Sequence, residues 1–497
     1  MPASRYRAAQ RRLAVQLIRP RRIPPLRRMV VVGSVLGWEV ANWKLREARK
    51  PDSRKLLSVR LRKAAEKLGP TYIKLAQIIS AGQGVFPDEL VEQCKLCRDS
   101  VPGVSFEEVR TVVEDSTHKD LFDSFATFSP TPIAAASIAQ VHTATLTDGS
   151  SVVVKVQRPN IQKLVRQDLA VMSTFAPLLV GRIKVAALAN PPALVELFAE
   201  TISEELDFRL EAENMEDIRS SLIELERDEF VLPTPVKEHT YKHVLVMDRL
   251  DGVDFSDATR LAQQNVDTEK AIADLLLGFL EGAFLQGVFH GDLHAGNLKI
   301  LHNGQIGLMD FGITGRLTDR ERVGFLKMLF AATTNNPLGQ VEALVDLGAL
   351  PPDTNTQEMV TELGLDRTMD ASALSQEQLV TEIRQLLKGL LYYGAKLPKP
   401  LMLYAKNLIF IENSIAELAP QLDLFELVNN VAMHFASEHG SSITKQLGVK
   451  ESDWELDLDG IKAGFWVDPK NESLTYAELL ERRKVIKSRL GNDFSIE

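Results

Sequence analysis

Several features that would assign a protein to a definite class are scarce in this sequence of 497 residues. It has two cysteines, Cys94 and Cys97, too few for a disulfide framework or for a four-ligand zinc site. We interpret both as small apolar residues on one side of a helix, and so low a count fits a reducing, intracellular compartment. The apolar content of 45% is nevertheless high enough for a large buried core and for more than one compact unit.

Long hydrophobic runs are also missing. No window reaches the roughly 18 uninterrupted apolar residues of a spanning helix. The most membrane-like stretch is 29–38, which follows nine arginines and no acidic residue in 1–28. This order resembles a signal or transit layout, but no small-residue cleavage site follows it. A basic segment with Trp38 lying at a membrane interface is an equally good interpretation.

Negative charge is nearly absent from the first 50 residues. They carry 13 Lys and Arg against Glu39 and Glu47, a net charge of +11. Because the whole chain carries −9, residues 51–497 carry −20. A basic segment on an acidic body predicts an anionic partner, and we expect peripheral association with a membrane surface. Nucleic acid is disfavoured, since no basic patch interleaved with aromatic residues follows.

The sequence motifs that point to a function are concentrated in His290–Asn297, which reads HGDLHAGN, and in Asp310-Phe311-Gly312. Two apolar runs between them are separated by Asn303-Gly304, a pattern that predicts a β-hairpin. The hairpin would place Asp292 and Asn297 at its entry and Asp310 at its exit. Phosphoryl transfer needs such oxygen-bearing groups at one place.

This pair of motifs is similar to the H-x-D-x-x-x-x-N and D-F-G motifs of kinases. We therefore predict a catalytic role for Asp292 and Mg²⁺ ligation by Asn297 and Asp310. His290 and His294 also suggest a metal site, but neutral imidazole suits Zn²⁺ better than Mg²⁺. For both histidines we favour a role in bracing the loop.

A strand, an Asp148-Gly149 turn and a β-branched strand carrying Lys155 predict the phosphate-binding side of the nucleotide site. Lys155 takes the place of the V-A-I-K lysine. No G-x-G-x-x-G occurs at the expected loop, where the sequence instead has Ala134, Ala135, Ala136 and Ser137. Alanine restricts the positive φ that glycine permits, so this loop should hold phosphates differently.

A helix predicted from about Ala193 through Leu222 should supply a glutamate that pairs with the lysine. We choose Glu211, and the residues alone leave Glu204 and Glu213 open. Further along, the apolar strand 244–248 runs into a polar turn. In kinase order this is the hinge, and the residues expected near adenine are Met247, Asp248 and Leu250.

After the D-F-G motif, Thr318–Glu321 forms a capping box that opens a helix. Almost no activation segment remains, and no A-P-E motif follows. This absence argues against peptide substrates and favours a small-molecule or lipid substrate, or plain ATP hydrolysis. Upstream, Lys74 and Gln77 share one face of a mostly apolar helix, so both side chains should meet polar partners.

Together these elements resemble the UbiB/ADCK family of atypical protein-kinase-like proteins, over roughly residues 55–435. The K-x-G-Q element of that family matches Lys74–Gln77, with Ala76 in place of its glycine. Its alanine-rich loop matches Ala134–Ser137, and its E-x-D element matches Glu205 and Asp207. The family pattern places the helix glutamate six positions after the first acid, which selects Glu211.

The resemblance implies an α+β, two-lobed kinase-like fold that binds Mg²⁺ and ATP or ADP between its lobes. It also implies that the N-terminal extension lies over the peptide site, with Lys74, Gln77, Glu205 and Asp207 regulatory. The implied activity is that of an ATPase or phosphotransferase supporting prenylquinone or prenyl-lipid biosynthesis or homeostasis. The implied partners are a prenyl lipid and proteins of quinone biosynthesis. Alternatives are a small-molecule phosphotransferase and a lipid-binding scaffold switched by nucleotide.

The predicted organisation has five parts. A basic segment (1–50) precedes a helical extension (51–130) and a kinase-like N-lobe (131–250) with a helical insertion at 160–198. A mainly helical C-lobe (251–440) and a peripheral tail (441–497) follow.

Overall fold

The computed structural model describes residues 25–80, 86–97, 103–179, 191–334, 336–365, 393, 398–449 and 473–481. The chain divides into two compact units, each assembled from segments distant in sequence. The first unit contains the chain up to Asp217, with Leu232–Asp251 and Met309–Ile313. The second contains Ile218–Val231, Gly252–Leu308 and the chain from Thr314 onward.

The first unit combines an antiparallel sheet with helices. Its strands are β1 (Phe125–Phe128), β2 (Ala134–Ala135), β3 (Ala139–Leu146), β4 (Ser151–Gln157), β6 (Pro235–Thr240) and β7 (Val244–Asp248), whereas β5 (Phe230–Val231) belongs to the second unit. Their order is β1-β3-β4-β7-β6, and β2 pairs with β3. Its helices are α1 (Leu26–Arg46), α2 (Ser53–Leu68), α3 (Pro70–Ser80), α4 (Asp88–Lys95), α5 (Phe106–Thr117), α6 (Leu121–Ser124), α7 (Ile161–Leu179), α8 (Pro191–Glu205) and α9 (Phe208–Glu224), whose last residues belong to the second unit.

Strand β4 is central, and its β-branched sequence suits a strand covered on both faces. Every residue after Ser151 in this strand is buried. Val152 and Val154 pack into one core with Val109 and Val113 of α5. Because side chains alternate along a strand, Lys155 projects from the opposite face. The predicted turn before β4 is present, with Gly149 at a φ of +91°.

A second core of the first unit joins the N-terminal helices to the helices that follow β4. Leu68 and Tyr72 pack with Leu169 of α7 and with Phe198 and Ile202 of α8. The predicted helical insertion corresponds to α7 and the beginning of α8, and residues 180–190 between them lie outside the described residues.

The second unit contains a small sheet of β5 (Phe230–Val231), β11 (Ile306–Leu308), β10 (Leu298–Leu301) and β8 (Gly252–Asp254), in that order. The hairpin predicted between the two motifs is confirmed, because β10 and β11 pair antiparallel with Leu298 opposite Leu308. Gly304 takes a φ of +85° in its turn. A separate pair joins β9 (Val288–His290) to β12 (Thr314–Arg316).

Along the chain, the helices of the second unit lie between and after these strands. They are α10 (Ala258–Gln263), α11 (Thr268–Glu281), α12 (Asp319–Thr333), α13 (Pro337–Asp346), α14 (Thr356–Glu362), α15 (Lys399–Leu418) and α16 (Leu424–Leu447), with a π-helical turn at Gly282–Gln286 and a 3-10 turn at Ala295–Asn297. The capping box predicted before α12 is present, since Thr318 Oγ1 accepts the Glu321 N–H while the Glu321 carboxylate accepts the Thr318 N–H. None of the helices within the described residues is long and apolar enough to cross a membrane.

Two expectations about helices need correction. The single helix predicted over 193–222 is two helices, because α8 ends at Glu205 and α9 begins at Phe208. The Asp207 carboxylate accepts the backbone N–H of Arg209, and the Phe208 N–H donates to the Lys242 carbonyl. Short acidic side chains compete for backbone donors in this way at helix starts.

The boundary predicted at residue 441 falls within α16, which continues to Leu447. Part of the segment interpreted as a peripheral tail also packs onto the second unit. Asp423 and Thr475 form a β-bridge, and Leu474 and Tyr476 are buried. Leu474 lies just before the bridge and Tyr476 begins the short helix after it, and burial of these two large side chains stabilises the docking.

Arg28 should contribute strongly to the stability of the first unit. It makes a bidentate ion pair with Asp168, whose side chain is fully buried, at 2.5 and 3.1 Å. Burial raises the pKa of Asp168, and Arg28 opposes that rise. We expect Arg28→Met to cost about 3–5 kcal/mol of unfolding free energy at pH 8, because it leaves a buried charge unpaired.

The loss of unfolding free energy should be smaller at pH 5. As the pH falls, the folded variant protonates Asp168 at a higher pH than the unfolded chain does, and a protonated carboxyl group no longer needs an ionic partner. Chemical denaturation at both pH values measures this difference. Arg27→Met, at an exposed position of the same helix, is the control and should change stability little. Equal losses for the two variants would contradict a role for the Arg28–Asp168 pair.

Candidate active site

Lys155 is the centre of the candidate nucleotide site in the first unit. Its Nζ lies 2.7 Å from Glu211 Oε1 and 3.1 Å from Asp310 Oδ1. The ring of Phe208 lies below the ammonium group, 5.5 Å from Nζ to the ring centroid. The lysine is nearly buried, so its charge depends on these two carboxylates. Three residues predicted from separate motifs are therefore in contact.

Glu211 is the helix glutamate that meets Lys155 among the three that the residues alone left open. It lies in the first turn of α9 and is 3% exposed. The break at Asp207 sets the start of α9 and hence the side of the helix on which Glu211 lies. The choice of Glu211 over Glu204 and Glu213 as the partner of Lys155 is therefore confirmed.

The three charges influence one another strongly. Burial raises the pKa of Glu211, and so does Asp310, whereas Lys155 lowers it. Desolvation lowers the pKa of Lys155, but the Asp310 and Glu211 carboxylates outweigh this effect and the pKa is raised. Lys155 is accordingly an ammonium group at neutral pH. With both carboxylates ionised the trio carries one net negative charge, which favours a divalent cation nearby.

Asp310 has an unusual backbone conformation for its residue type, with a φ of +57°. A left-handed conformation costs roughly 1–2 kcal/mol for a residue with a Cβ. Neighbouring contacts hold it there: Gly312 N–H donates to Asp310 Oδ1 at 3.2 Å, and Asn214 Nδ2 donates to the Phe311 carbonyl at 2.9 Å. The Asp310 side chain remains 48% exposed, so its carboxylate can reach a ligand as well as Lys155.

The alanine-rich segment is a tight hairpin rather than an open loop. Ala134 and Ala135 form β2, and the Ala136 N–H donates to the Ala139 carbonyl at 2.8 Å. Arg158 Nε donates to the Ala136 carbonyl at 2.9 Å, and Ser137 is buried. The Ala136 amide is thus used inside the hairpin. That this segment binds phosphates differently from a glycine-rich loop stays a prediction.

The predicted hinge residues lie at the end of β7 and just after it. Met247 is buried and pairs with Val153 across the sheet. The Asp248 N–H donates to the Thr234 carbonyl at 3.1 Å. Leu250 is the one of the three that lies outside the strand. Their contact with adenine stays a prediction.

Lys74 of α3 lies beside the D-F-G segment within the first unit. Its Nζ is 2.9 Å from Glu205 Oε1, while Asp207 pairs with Arg209 at 2.7 Å. A methyl group on Gly312 would lie 3.6 Å from Glu205 Cγ, so the Lys74–Glu205 pair is next to that glycine. The polar partner expected for Lys74 is present.

The rest of the K-x-G-Q element also lies on α3. Gln77 is partly buried there. Ala76, which replaces the family's glycine, is buried in a cluster with Cys94 and Cys97. Both cysteines are buried and form no disulfide, and their burial agrees with their interpretation as small apolar residues.

The candidate catalytic loop, His290–Asn297 in the second unit, is held by its own side chains. His290 Nδ1 accepts the Asp292 N–H, and His294 Nδ1 accepts the Gly296 N–H, each at 3.1 Å. Both imidazoles thus brace the loop, the role favoured for them over metal binding. Asn297 Nδ2 donates to the Asp292 carbonyl at 3.0 Å. This bond fixes the amide orientation, so that Oδ1 is the atom suited to ligate a hard cation.

Two residues of α15 contact this loop and were missed by the sequence analysis. Lys406 Nζ contacts the Asp292 carboxylate directly. Asn407 is fully buried, its Oδ1 accepts the Leu293 N–H at 3.0 Å, and its Nδ2 donates to the His290 carbonyl. They lie 114 or more residues from their partners and belong to no motif. A Lys-Asn pair inside an apolar helix was the available signal, because buried polar groups need partners.

The α+β architecture and the paired motifs define a protein of the kinase-like class. A profile of the ABC1 atypical kinase-like domain matches residues 96–343. The Marinobacter nauticus protein named Probable protein kinase UbiB is 31% identical over 377 residues, 74% of this chain and 68% of that protein. The chain belongs to the ABC1 atypical kinase-like family, which confirms the resemblance and the kinase-like fold that it implied.

Other relatives match over similar lengths. An uncharacterized Mycobacterium tuberculosis protein is 32% identical over 388 residues, 76% of this chain and 79% of that protein. A chloroplastic aarF domain-containing protein kinase of Arabidopsis thaliana, also uncharacterized, is 30% identical over 395 residues, 74% of this chain and 73% of that protein.

Asn407 should rigidify the catalytic loop. Asn407→Ala removes the partners of two buried backbone groups, each of which costs about 1–3 kcal/mol when left unpaired. We expect a lower unfolding free energy and faster hydrogen exchange at Leu293, measured by denaturation and by exchange mass spectrometry. The matched control is Asn413→Ala, at an exposed position of the same helix. Unchanged exchange at Leu293 would show that the loop does not depend on Asn407.

Proposed function

We propose that this protein is a Mg²⁺-dependent ATPase of the atypical kinase type that supports prenylquinone or other prenyl-lipid metabolism at a membrane. The observation that carries the proposal is Lys155, held between Glu211 and Asp310 in the first unit. A buried strand lysine paired with a helix glutamate is the arrangement that orients nucleotide phosphates in kinases. The family membership supports the same class of chemistry.

The donor set suits Mg²⁺. Asp310 offers a half-exposed carboxylate, and Asn297 has its amide oriented by a hydrogen bond to the Asp292 carbonyl. Carboxylate and amide oxygens are hard ligands of the kind that Mg²⁺ accepts alongside phosphate oxygens and water. These two residues would hold the ion, which when bound would neutralise charge on the phosphates.

The remaining residues would each have a separate role in binding or reaction. Lys155 would bind phosphate oxygens while Glu211 keeps its ammonium group in place. Asp292 would orient the attacking water or acceptor hydroxyl, and Lys406 would hold the Asp292 carboxylate in position. Residues Ala134–Ser137, Met247, Asp248 and Leu250 would surround the nucleotide.

Hydrolysis, or transfer to a small acceptor, is favoured over peptide phosphorylation. Six residues separate Gly312 from α12, which begins at Asp319, so little chain is available for docking a peptide. The Lys74–Glu205 pair, beside Gly312, supports the proposal that the N-terminal extension occludes the peptide site. Lys74, Gln77, Glu205 and Asp207 would accordingly regulate access.

Peripheral membrane association is part of the proposal, because α1 has large apolar side chains exposed to solvent. Leu26, Val30 and Trp38 are each at least 65% exposed, and Leu45 is 84% exposed. Basic residues lie among them, including Lys44 and Arg46 in the last turn. Exposed apolar and basic side chains on one helix suit the interface of an anionic bilayer. The stretch 1–24, with its seven arginines, lies outside the described residues.

Asp310→Asn should lower Mg²⁺-dependent ATP turnover by about a hundredfold, because loss of a metal ligand removes several kcal/mol of transition-state stabilisation. Phosphate release with and without vesicles of anionic phospholipid is the measurement. Asp251→Asn, at a surface ion pair of the first unit, is the charge-matched control and should retain full turnover. Equal turnover in both variants would rule out the proposed site.

The same assay separates hydrolysis from phosphotransfer. Label from γ-phosphate appearing in a soluble metabolite would favour a small-molecule phosphotransferase. Quinone and prenyl-lipid profiles of a deletion strain test the pathway. Rescue of that strain by wild type but not by Asp310→Asn is expected, whereas rescue by Asp310→Asn would favour a scaffold role.

Lys406→Met should lower turnover about 10–100-fold while changing nucleotide affinity little, because the ion pair orients Asp292 and leaves the Lys155 trio intact. Turnover and the affinity for a fluorescent ATP analogue are measured separately. Lys406→Arg keeps the positive charge and should restore part of the turnover. A parallel loss of affinity and turnover in Lys406→Met would instead indicate a general structural role.

A further inference from the structure

Glu281, His434 and His439 form a polar cluster in the second unit, apart from the catalytic loop. Their ligand atoms lie within 4.8 Å of one another. Glu281 Oε1 is 2.6 Å from His434 Nε2 and 2.9 Å from His439 Nε2. Arg227 completes the cluster, with its Nε donating to Glu281 Oε2 at 2.5 Å and its Nη2 lying 3.0 Å from His434 Nε2.

The hydrogen bonds of this cluster cannot all be made at once. Arg227 has only donors, so its Nη2 requires a lone pair on His434 Nε2. The ionised Glu281 has only acceptors, so its Oε1 requires a proton on the same nitrogen. A single imidazole nitrogen cannot be donor and acceptor simultaneously, and one of these short contacts is always unfavourable.

Glu281 is 1% exposed, and nitrogen atoms of Arg227, His434 and His439 surround its side-chain oxygens. Its Oε2 accepts from Arg227 Nε at 2.5 Å, and this permanent cation favours the ionised carboxylate.

A cation among the three side chains would remove the conflict, since both Nε2 lone pairs and Oε1 could then point at the same ion. We propose that Glu281, His434 and His439 bind a divalent cation of the zinc class. Two imidazoles and one carboxylate are a donor set that such ions bind with an open fourth position. Arg227 would keep its hydrogen bond to Oε2 and lose only the Nη2 contact with His434.

The spacing requires only a small adjustment. Two ligand atoms about 2.05 Å from one tetrahedral ion stand about 3.3 Å apart. The observed 2.6 and 2.9 Å are shorter by less than 1 Å, so a modest retreat of the imidazoles would admit the ion. The histidine side chains are 28% and 24% exposed, which opens a path from solvent to the buried carboxylate.

The position of the cluster suggests what the ion would do. Glu281 ends α11, and the π-helical turn Gly282–Gln286 and strand β9 follow it directly and lead to His290. Single π-helical turns inside helices are frequent at functional sites. A cation there would join this segment to α16, which carries both histidines. It would thus anchor the chain that enters the catalytic loop.

Zn²⁺ titration of the metal-free protein against a chromophoric chelator tests the proposal, with Co²⁺ as a spectroscopic probe of the ligand set. We expect one equivalent of Zn²⁺ to bind and to raise the melting temperature. His434→Gln and His439→Gln should each weaken binding about tenfold or more. His439→Cys should retain binding and add a thiolate charge-transfer band to the Co²⁺ spectrum.

His302→Gln, at an exposed position of the same unit, is the matched control and should bind Zn²⁺ like the wild type. Melting of each variant without metal shows that it folds, and His439→Cys keeps the test valid if a glutamine variant does not. Zn²⁺ binding that is equally tight in wild type and both glutamine variants would overturn the proposal. So would wild type that binds no Zn²⁺, which would leave the cluster a purely structural ion network.

Discussion

The buried ammonium group of Lys155 is the constraint on which the candidate site depends. A lysine nearly removed from water keeps its charge only where carboxylates replace the lost solvation. Glu211 and Asp310 provide that replacement, and each is itself buried or held in a restrained backbone conformation. The pairing therefore links β4, the first turn of α9 and the D-F-G segment into one arrangement. The short β4 strand can carry a charge because its other face is a valine core.

The second unit solves a comparable problem with hydrogen bonds. Its candidate catalytic loop, His290–Asn297, is short and mostly irregular, so most of its backbone groups are not paired within a regular helix or strand. Asn407, from α15, bonds to the backbone at both His290 and Leu293. Lys406, the preceding residue, contacts Asp292. One pair of adjacent residues thus positions both the backbone and the carboxylate of the loop, and the histidines of the loop complete the bracing.

The ion pair between Lys74 and Glu205 connects α3 to the D-F-G segment. Glu205 ends α8, pairs with Lys74 of α3 and lies beside Gly312, whose N–H bonds to Asp310. A displacement of α3 would therefore act on the D-F-G segment through the Lys74–Glu205 pair and its contact with Gly312, all within the first unit. Ala76 stands where the family has glycine, and its methyl group packs with Cys94 and Cys97. The substitution is accommodated on the α4 side of α3.

Much of this protein could be predicted from residues that are close in sequence. The β10–β11 hairpin was predicted from an Asn-Gly turn between two apolar runs. The place of Lys155 in a buried strand was predicted from the valines around it, and the capping box before α12 from four consecutive residues. Turns, strand alternation and helix caps all depend on residues that are close in sequence. The break between α8 and α9 was missed, since the periodicity of 193–222 continues across Asp207. The docking of 473–481 onto α16 was missed for a different reason, because a pairing between distant segments leaves no periodic signal.

The sequence by itself determined the kinase-like class, the candidate catalytic and metal-binding residues, and the unusual alanine-rich segment. Only the tertiary structure decided that a new helix begins at Phe208, that Lys406 contacts Asp292, and that Glu281 meets two histidines more than 150 residues away. The physical reason is the range of the interactions. Motifs record chemistry between neighbours along the chain, whereas a buried charge selects its partner by distance in space, which only the packed helices and strands define.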